Sequence, residues 1–365
     1  MNKLVLRTCY ALACLSLCSG LGLGQEVSFL RNNSVLDSLQ SITESTIPSN
    51  GDLNPYGIAF VPDGFPSGPN IAAGDVLVSN FNASSGLEGT GTTIVSFSPT
   101  GQQSLFATSN LIGLSTALGV FSRGFVLVGN LPVTYPGGVV TPGEGSLQIF
   151  DRNGDHLITL NDKELLDSPW DLTVNDQGGT AQVFVSNVLS GTVTRLDFLV
   201  GQGGVALIRK TRIGSGYGHQ IIPAIVAVGP TGLAYDPGRD NLYVASTADN
   251  EIFVITDAAT RTSSAGTGFV VFADQTHLHG PLGLTLGANG NLITANGDGV
   301  NAGGAQNDLV EFTKEGDLVA TYQLDSGALG AAFGIANTLS QGAVRFAAVD
   351  DDLNSVTIWT LRPPF

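Results

Sequence analysis

The chain has 365 residues, carries a formal net charge of −16, and is only 13% charged, with 48 glycines. So acidic a surface repels nucleic-acid phosphates and anionic lipid, which excludes both as expected partners. Few charges, much glycine and few helix-favouring runs point instead to short strands joined by tight turns.

In chain order, the first segment reads as a leader. Lys3 and Arg7 give a basic start, Leu12–Leu17 an apolar stretch, and Gly22-Leu23-Gly24 small residues before a cut. This is the pattern of a secretory signal peptide over residues 1–24, so the expected location is secreted or periplasmic. Cys9, Cys14 and Cys18 are the chain's three cysteines and all lie in this leader. A chain cut near Gly24 would therefore fold without disulfides or thiol chemistry, and its charge would become −18. No later stretch is long and apolar enough to span a membrane as a helix.

Residues 25–365 read as one domain built from six copies of a short phrase: a Pro or small residue, a Gly, then an alternating apolar strand. The copies start near residues 54, 116, 168, 229, 280 and 331, and centre on Gly57, Gly119, Asp171, Gly232, Gly283 and Gly334. Steps of 51 to 62 residues between copies, with strands alone inside each, are the period of a β-propeller blade. The fourth copy is the clearest. Gly232–Tyr235 is a strand, Asp236-Pro237-Gly238 a turn, Asn241–Ser246 a second strand, Glu251–Thr256 a third and Gly268–Phe272 a fourth. The expected fold is all-β: a six-bladed propeller of four-stranded antiparallel blades. The last copy ends after three strands, so the ring is expected to close with an N-terminal strand, for which Glu26–Leu30 is the candidate.

The phrase Gly232-Leu233-Ala234-Tyr235-Asp236, followed by Asn241–Ser246 and Asn250-Glu251-Ile252, resembles an NHL repeat. Similar phrases stand at Gly283 and Gly57. By this pattern the chain is similar to six-bladed propellers that include the SMP-30/gluconolactonase, strictosidine-synthase-like and streptogramin-lyase groups, and others that only bind. The SMP-30 group holds a metal with a first-blade Glu plus Asn and Asp around the channel. Here the first blade opens with Asn54-Pro55-Tyr56-Gly57, without that Glu.

The second strands end in Asn80, Asn130, Asn187, Ser246, Asn296 and Asp350, six equivalent positions expected to ring the channel mouth. Such a ring suits a polar ligand or a hard cation, Ca²⁺ foremost, with a carboxylate such as Asp350 or Asp171 contributing. The same residue types also cap turns by bonding backbone groups, and repetition in every blade fits that scaffold duty. Asp171 stands where other blades have Gly, and either faces the channel or forms a turn. His219 and His279 could meet at the mouth as an acid–base or metal pair, and His277-Leu278-His279 puts two imidazoles on one side of an extended segment. The loops Phe81–Gly91, Val133–Gly145 and Gly297–Gly304 could form a rim or lid.

Besides an extracytoplasmic structural or envelope protein with no small ligand, two functions remain in play at this level. One is a monomeric extracytoplasmic module that binds a small molecule or protein through its loop-rich face. The other is a metal-dependent hydrolase or lyase with its site at the channel mouth.

Overall fold

A computed structural model describes residues 34, 40–109, 111, 113–297, 300, 307–327, 330–340 and 342–361. Six four-stranded antiparallel sheets make up a ring of blades. Their first strands are Leu53–Phe60, Leu118–Phe121, Pro169–Asp176, Pro230–Asp236, Pro281–Leu286 and Ala332–Ser340. Each begins close to one copy of the sequence phrase. The second strands end at Asn82, Asn130, Asn187, Ser246, Asn296 and Asp350.

The ring is closed by an N-terminal strand, as expected, but that strand is Gln40–Ser45. It pairs antiparallel with Ser355–Leu361, from Gln40 opposite Thr360 to Ser45 opposite Ser355. Glu26–Leu30, the segment anticipated for this duty, lies outside the described residues, as does the leader. The closing strand reads QSITES, too polar to stand out by hydrophobicity. Ile42 pairs with Ile358, while Thr43 Oγ1 and Thr357 Oγ1 lie 2.9 Å apart. Closure leaves the sixth blade without a missing outer strand.

The core is divided as a ring of wedges requires. Six apolar clusters fill the six gaps between adjacent blades. Phe121, Leu147, Leu172 and Phe198 join blades 2 and 3, for example, and Val78, Phe97, Val349 and Ile358 join blades 6 and 1. Each blade is thus buried on both faces, which is why its middle strands read as nearly continuous apolar runs. A seventh cluster does not lie between blades. It gathers Tyr56, Phe81, Leu131, Trp170, Val188 and the segment Val226-Ala227 over one end of the channel.

The first strands pack closely around the axis. A Cβ added at Gly334 would lie 1.9 Å from the Tyr56 carbonyl oxygen, and one at Gly232 would lie 2.3 Å from that of Leu282. Glycine recurs at this step because the neighbouring blade's backbone occupies the space a side chain would need. No helix among the described residues is long and apolar enough to cross a membrane.

Candidate functional site

In five blades the pairing of first and second strands slips at the same step: Pro55/Ile58, Pro169/Asp171, Pro230/Leu233, Pro281/Leu284 and Ala332/Ile335. A bulge re-aims the side chain beside it. Here it turns the middle residue of the repeated phrase towards the channel mouth, so Tyr56, Trp170, Thr231, Leu282 and Phe333 line one cavity of about 260 Å³. The second strands contribute the residue just past their last predicted position: Phe81, Thr247, Gly297 and Asp351.

The six residues anticipated as a mouth ring therefore point elsewhere. Asn80, Asn130, Asn187, Ser246 and Asn296 are all fully buried, and Asp350 is 2% exposed. Alternation along a strand sends consecutive side chains to opposite sides. The ring residues face the segments that cross from one blade to the next, while their successors face the mouth. Asn80 Nδ2 donates to Thr46 O (2.9 Å), Asn130 Nδ2 to Leu111 O (3.1 Å), Asn187 Nδ2 to Leu165 O (3.3 Å) and Asn296 Nδ2 to His277 O (2.8 Å). Each of these carbonyls lies on the crossover leading into that Asn's own blade. Asn296 also accepts from the His279 N–H through Oδ1 (2.9 Å).

Blade 4 makes the same latch in two steps. Ser246 Oγ donates to Asp249 Oδ2 (2.7 Å), which accepts the Gly218 N–H of the incoming crossover (2.9 Å). In blade 6, Asp350 Oδ1 accepts the Leu353 N–H (2.9 Å). Its pKa is pushed up to about 6, first by burial and then by the nearby charges of Asp325, Asp352 and Asp308.

The histidines are not brought together in the mouth lining. His219 is exposed, and its Nδ1 pairs with Tyr217 O (2.9 Å). His277 Nδ1 sits 2.6 Å from Asp274 Oδ2, and His279 Nε2 pairs with Thr276 O (3.1 Å).

The mouth is an aromatic floor with a polar rim on one side. Tyr56 is its hub. Its ring lies 5.2 Å from Phe333, 6.2 Å from Phe81 and 5.7 Å edge-on from Trp170. Trp170 Nε1 donates to Tyr56 Oη at 2.6 Å, so the indole and the phenol lock each other's orientation. Burial, and then the charge of Asp171, hold the Tyr56 phenol well above its ordinary pKa. Thr231 and Thr247 hydroxyls meet at 3.1 Å and both donate to Pro281 O. Asn54, Glu88 and Asp351 supply the polar rim, from blades 1 and 6.

Two elements around the mouth were not legible as such. The crossover between blades 3 and 4 carries a hairpin, Gln220–Ile222 with Val226–Val228, whose Ile225 and Ala227 form one wall of the cavity. Val226 is held at φ +68°, a costly conformation for a β-branched residue, and is only 1% exposed in the mouth cluster. The loop after Phe81 and the loop from Val133 to Gly145 are tied by Tyr135 Oη donating to Glu88 O (2.8 Å). The first of these loops lines the cavity through Phe81 and Glu88, while the second packs behind it through Val133 and Val140. Most of Gly297–Gly304 lies outside the described residues.

Asp171 does face the channel, below the mouth. Its Oδ1 accepts the N–H of Leu172 (2.8 Å) and its Oδ2 that of Leu233 in the next blade (3.2 Å). Burial raises its pKa to about 7 against the pull of those two N–H groups. A pinch of about 10 Å³ between Tyr56, Thr116 and Asp171 separates the mouth from a second cavity further along the axis.

No protein-family model matches the chain, and no curated protein matches it in sequence. Among solved structures, it is similar to a gluconolactonase from Xanthomonas campestris, with 14% identity over 92% of each chain and a TM-score of 0.56. It is also similar to regucalcin, a calcium-binding protein from Agrobacterium tumefaciens, with 14% identity over 87% of this chain and 92% of that one and a TM-score of 0.50. At such identities the likeness is one of fold.

Proposed function

We propose that this chain is a secreted or periplasmic binding module whose channel mouth takes a small, mainly apolar ring compound that is neutral or cationic. The observation that carries this reading is the convergence of Tyr56, Phe81, Trp170 and Phe333 from three blades on one cavity, with threonine hydroxyls from blade 4 and carboxylates from blades 1 and 6 around it. Concave apolar sites with a few fixed polar groups are the usual form of small-molecule pockets. The volume, about 260 Å³, lies just below the ~300–1,000 Å³ of drug-sized sites, so the ligand is small. The rim carboxylates Glu88 and Asp351, and a net charge of −16, disfavour an anion.

Calcium is not part of this reading. Ca²⁺ takes about six to eight oxygen ligands. The anticipated amide ring donates its N–H groups to backbone carbonyls, and no group of three or more His, Cys, Asp or Glu suited to a metal occurs among the described residues. The hydrolase reading would have to draw on Glu88, Asp351 and Asn54 of the lining, and Glu88 Oε1 already accepts from Asn82 Nδ2 at 3.2 Å.

The test uses tryptophan emission. Trp170 and Trp359 are the chain's two tryptophans, and Trp359 lies between blades 5 and 6. A Trp359→Phe chain therefore reports on the mouth alone. Titration with p-cresol, benzylammonium and benzoate should give saturable changes with the first two and none with benzoate. Equal responses to all three, or none, would reject the reading. Calcium-dependent hydrolysis of glucono-δ-lactone, abolished by EDTA, would favour the hydrolase instead.

A further inference from the structure

The far cavity differs in chemistry from the mouth. Its volume is about 230 Å³, and all six first strands contribute to it, through residues such as Ile58, Leu118, Asp171, Leu284, Thr285 and Asn337. Those strands run from the mouth towards the opposite face, so this is the other end of the channel. Each first strand is the edge of its sheet, so alternate backbone N–H and C=O groups along it lack a partner strand and face the lumen. The wall is thus mostly apolar side chains interleaved with peptide dipoles, with Thr173, Thr285, Asn337 and Thr338 as its uncharged polar side chains.

Asp171 stands at the closed end of this bore. Five blades have glycine at its position. Here the carboxylate projects beside Leu172 and Leu233, takes one N–H from each, and meets no cation. Among the described lining residues of the bore, Asp171 is the single ionisable side chain. At the pinch, blade 1 adds the Tyr56 phenol, and the other blades add no titratable group. An anion so placed, far from any compensating charge, either keeps a proton or recruits a positive group.

We propose that the bore is a second binding site, distinct from the mouth, for a small primary ammonium whose N–H groups bond the Asp171 carboxylate and the lumen-facing backbone carbonyls. A single carboxylate already accepting two backbone N–H bonds is a poor seat for a divalent metal, which needs several oxygens. An ammonium needs three acceptors, and one carboxylate with nearby carbonyls provides them. The acidic net charge draws cations to the channel at long range. The proposal does not depend on the mouth reading, since no residue of the aromatic floor other than Tyr56 reaches the pinch.

The experiment is calorimetric titration of the full chain with propylammonium chloride, with potassium chloride and tetramethylammonium chloride as controls. Asp171 has its pKa near 7, so going from pH 8 to pH 6 leaves roughly one tenth as much carboxylate ionised. Affinity for propylammonium should fall about tenfold over that interval. Binding should be lost in Asp171→Asn, and also in Asp171→Gly, which restores the residue of the other five blades and so should fold. Tetramethylammonium, lacking N–H groups, should bind at least tenfold more weakly. Absence of binding at pH 8, unchanged affinity in both variants, or an equal response to potassium would overturn the proposal. Because the readout is heat at Asp171 rather than Trp170 emission, failure here leaves the mouth reading intact, and the converse also holds.

Discussion

The two ends of the channel are made from the same six strands and yet present opposite surfaces. At the mouth, a bulge in five blades turns side chains inward, and aromatic rings with two threonines line the cavity. Beyond the pinch the strands run straight, and the lumen is edged by backbone with one carboxylate, Asp171, among aliphatic side chains and a few hydroxyl and amide groups. One repeat therefore builds two environments. The mouth is shaped by side chains, whereas near the pinch the blades meet backbone to backbone.

The largest way to break this contrast is at the mouth. Trp170→Ala removes an indole that is 6% exposed and strips the Tyr56 phenol of its hydrogen bond. It should cost about 4 kcal/mol by chemical denaturation and abolish the p-cresol response, while propylammonium binding persists. At the bore end, Gly334→Ala would set a methyl 1.9 Å from the Tyr56 carbonyl oxygen. The strands must part to admit it, at about 3 kcal/mol, whereas Asp171→Gly, compared near pH 4 where the folded-state carboxyl holds its proton, should leave the midpoint little changed. A Gly334→Ala chain as stable as the wild type would mean that the close approach of first strands does not shape the bore.

A smaller effect separates the latches from the lining. Asn296→Ala leaves the Asn307 carbonyl and the His279 N–H without their partner and removes one of the two donors to the His277 carbonyl, and should cost about 2 kcal/mol. The p-cresol affinity of the folded protein should not move, because this amide faces the crossover. The opposite result, lost binding at full stability, would return the amide ring to the ligand site.

The smallest effect is in the pH dependence. Asp171 has its pKa raised from 3.8 unfolded to about 7 folded, so the folded state holds the proton more tightly. Its contribution to stability is full below about 3.8 and is lost as pH rises towards 7, at about 1.4 kcal/mol per pH unit. Between pH 5 and 6 the wild type should therefore lose about 1.4 kcal/mol more than Asp171→Gly. Parallel curves for the two chains would mean that the carboxylate is not isolated in the bore.

These contrasts also mark what the sequence makes legible. The repeat, the strand order and the ends of the second strands can be read from glycines, turns and apolar alternation, because those follow local rules. Ring closure by an N-terminal strand is legible as a need, but the segment is not: Gln40–Ser45 is polar, and its partner lies more than 300 residues away. The mouth is missed by one residue. Asn80, Asn130, Asn187 and Asn296 stand out because they repeat, yet repetition is what a latch requires, and of their less uniform successors Phe81 and Gly297 line the mouth cavity. The available signal was the bulky middle residue of the repeated phrase, Tyr56, Trp170, Leu282 and Phe333, where a continuous strand would bury it between blades. The hairpin at Gln220–Val228 carries no such signal, since its place over the mouth is set by the ring as a whole.

The measurement that tests the two-ended channel most directly is a p-cresol titration of the Trp359→Phe chain, followed by Trp170 emission, with and without saturating propylammonium. Two separate sites require a saturable p-cresol response whose Kd is the same in both series. No response at all, or a p-cresol affinity that falls in proportion to added propylammonium, would contradict the account and merge the two cavities into one site.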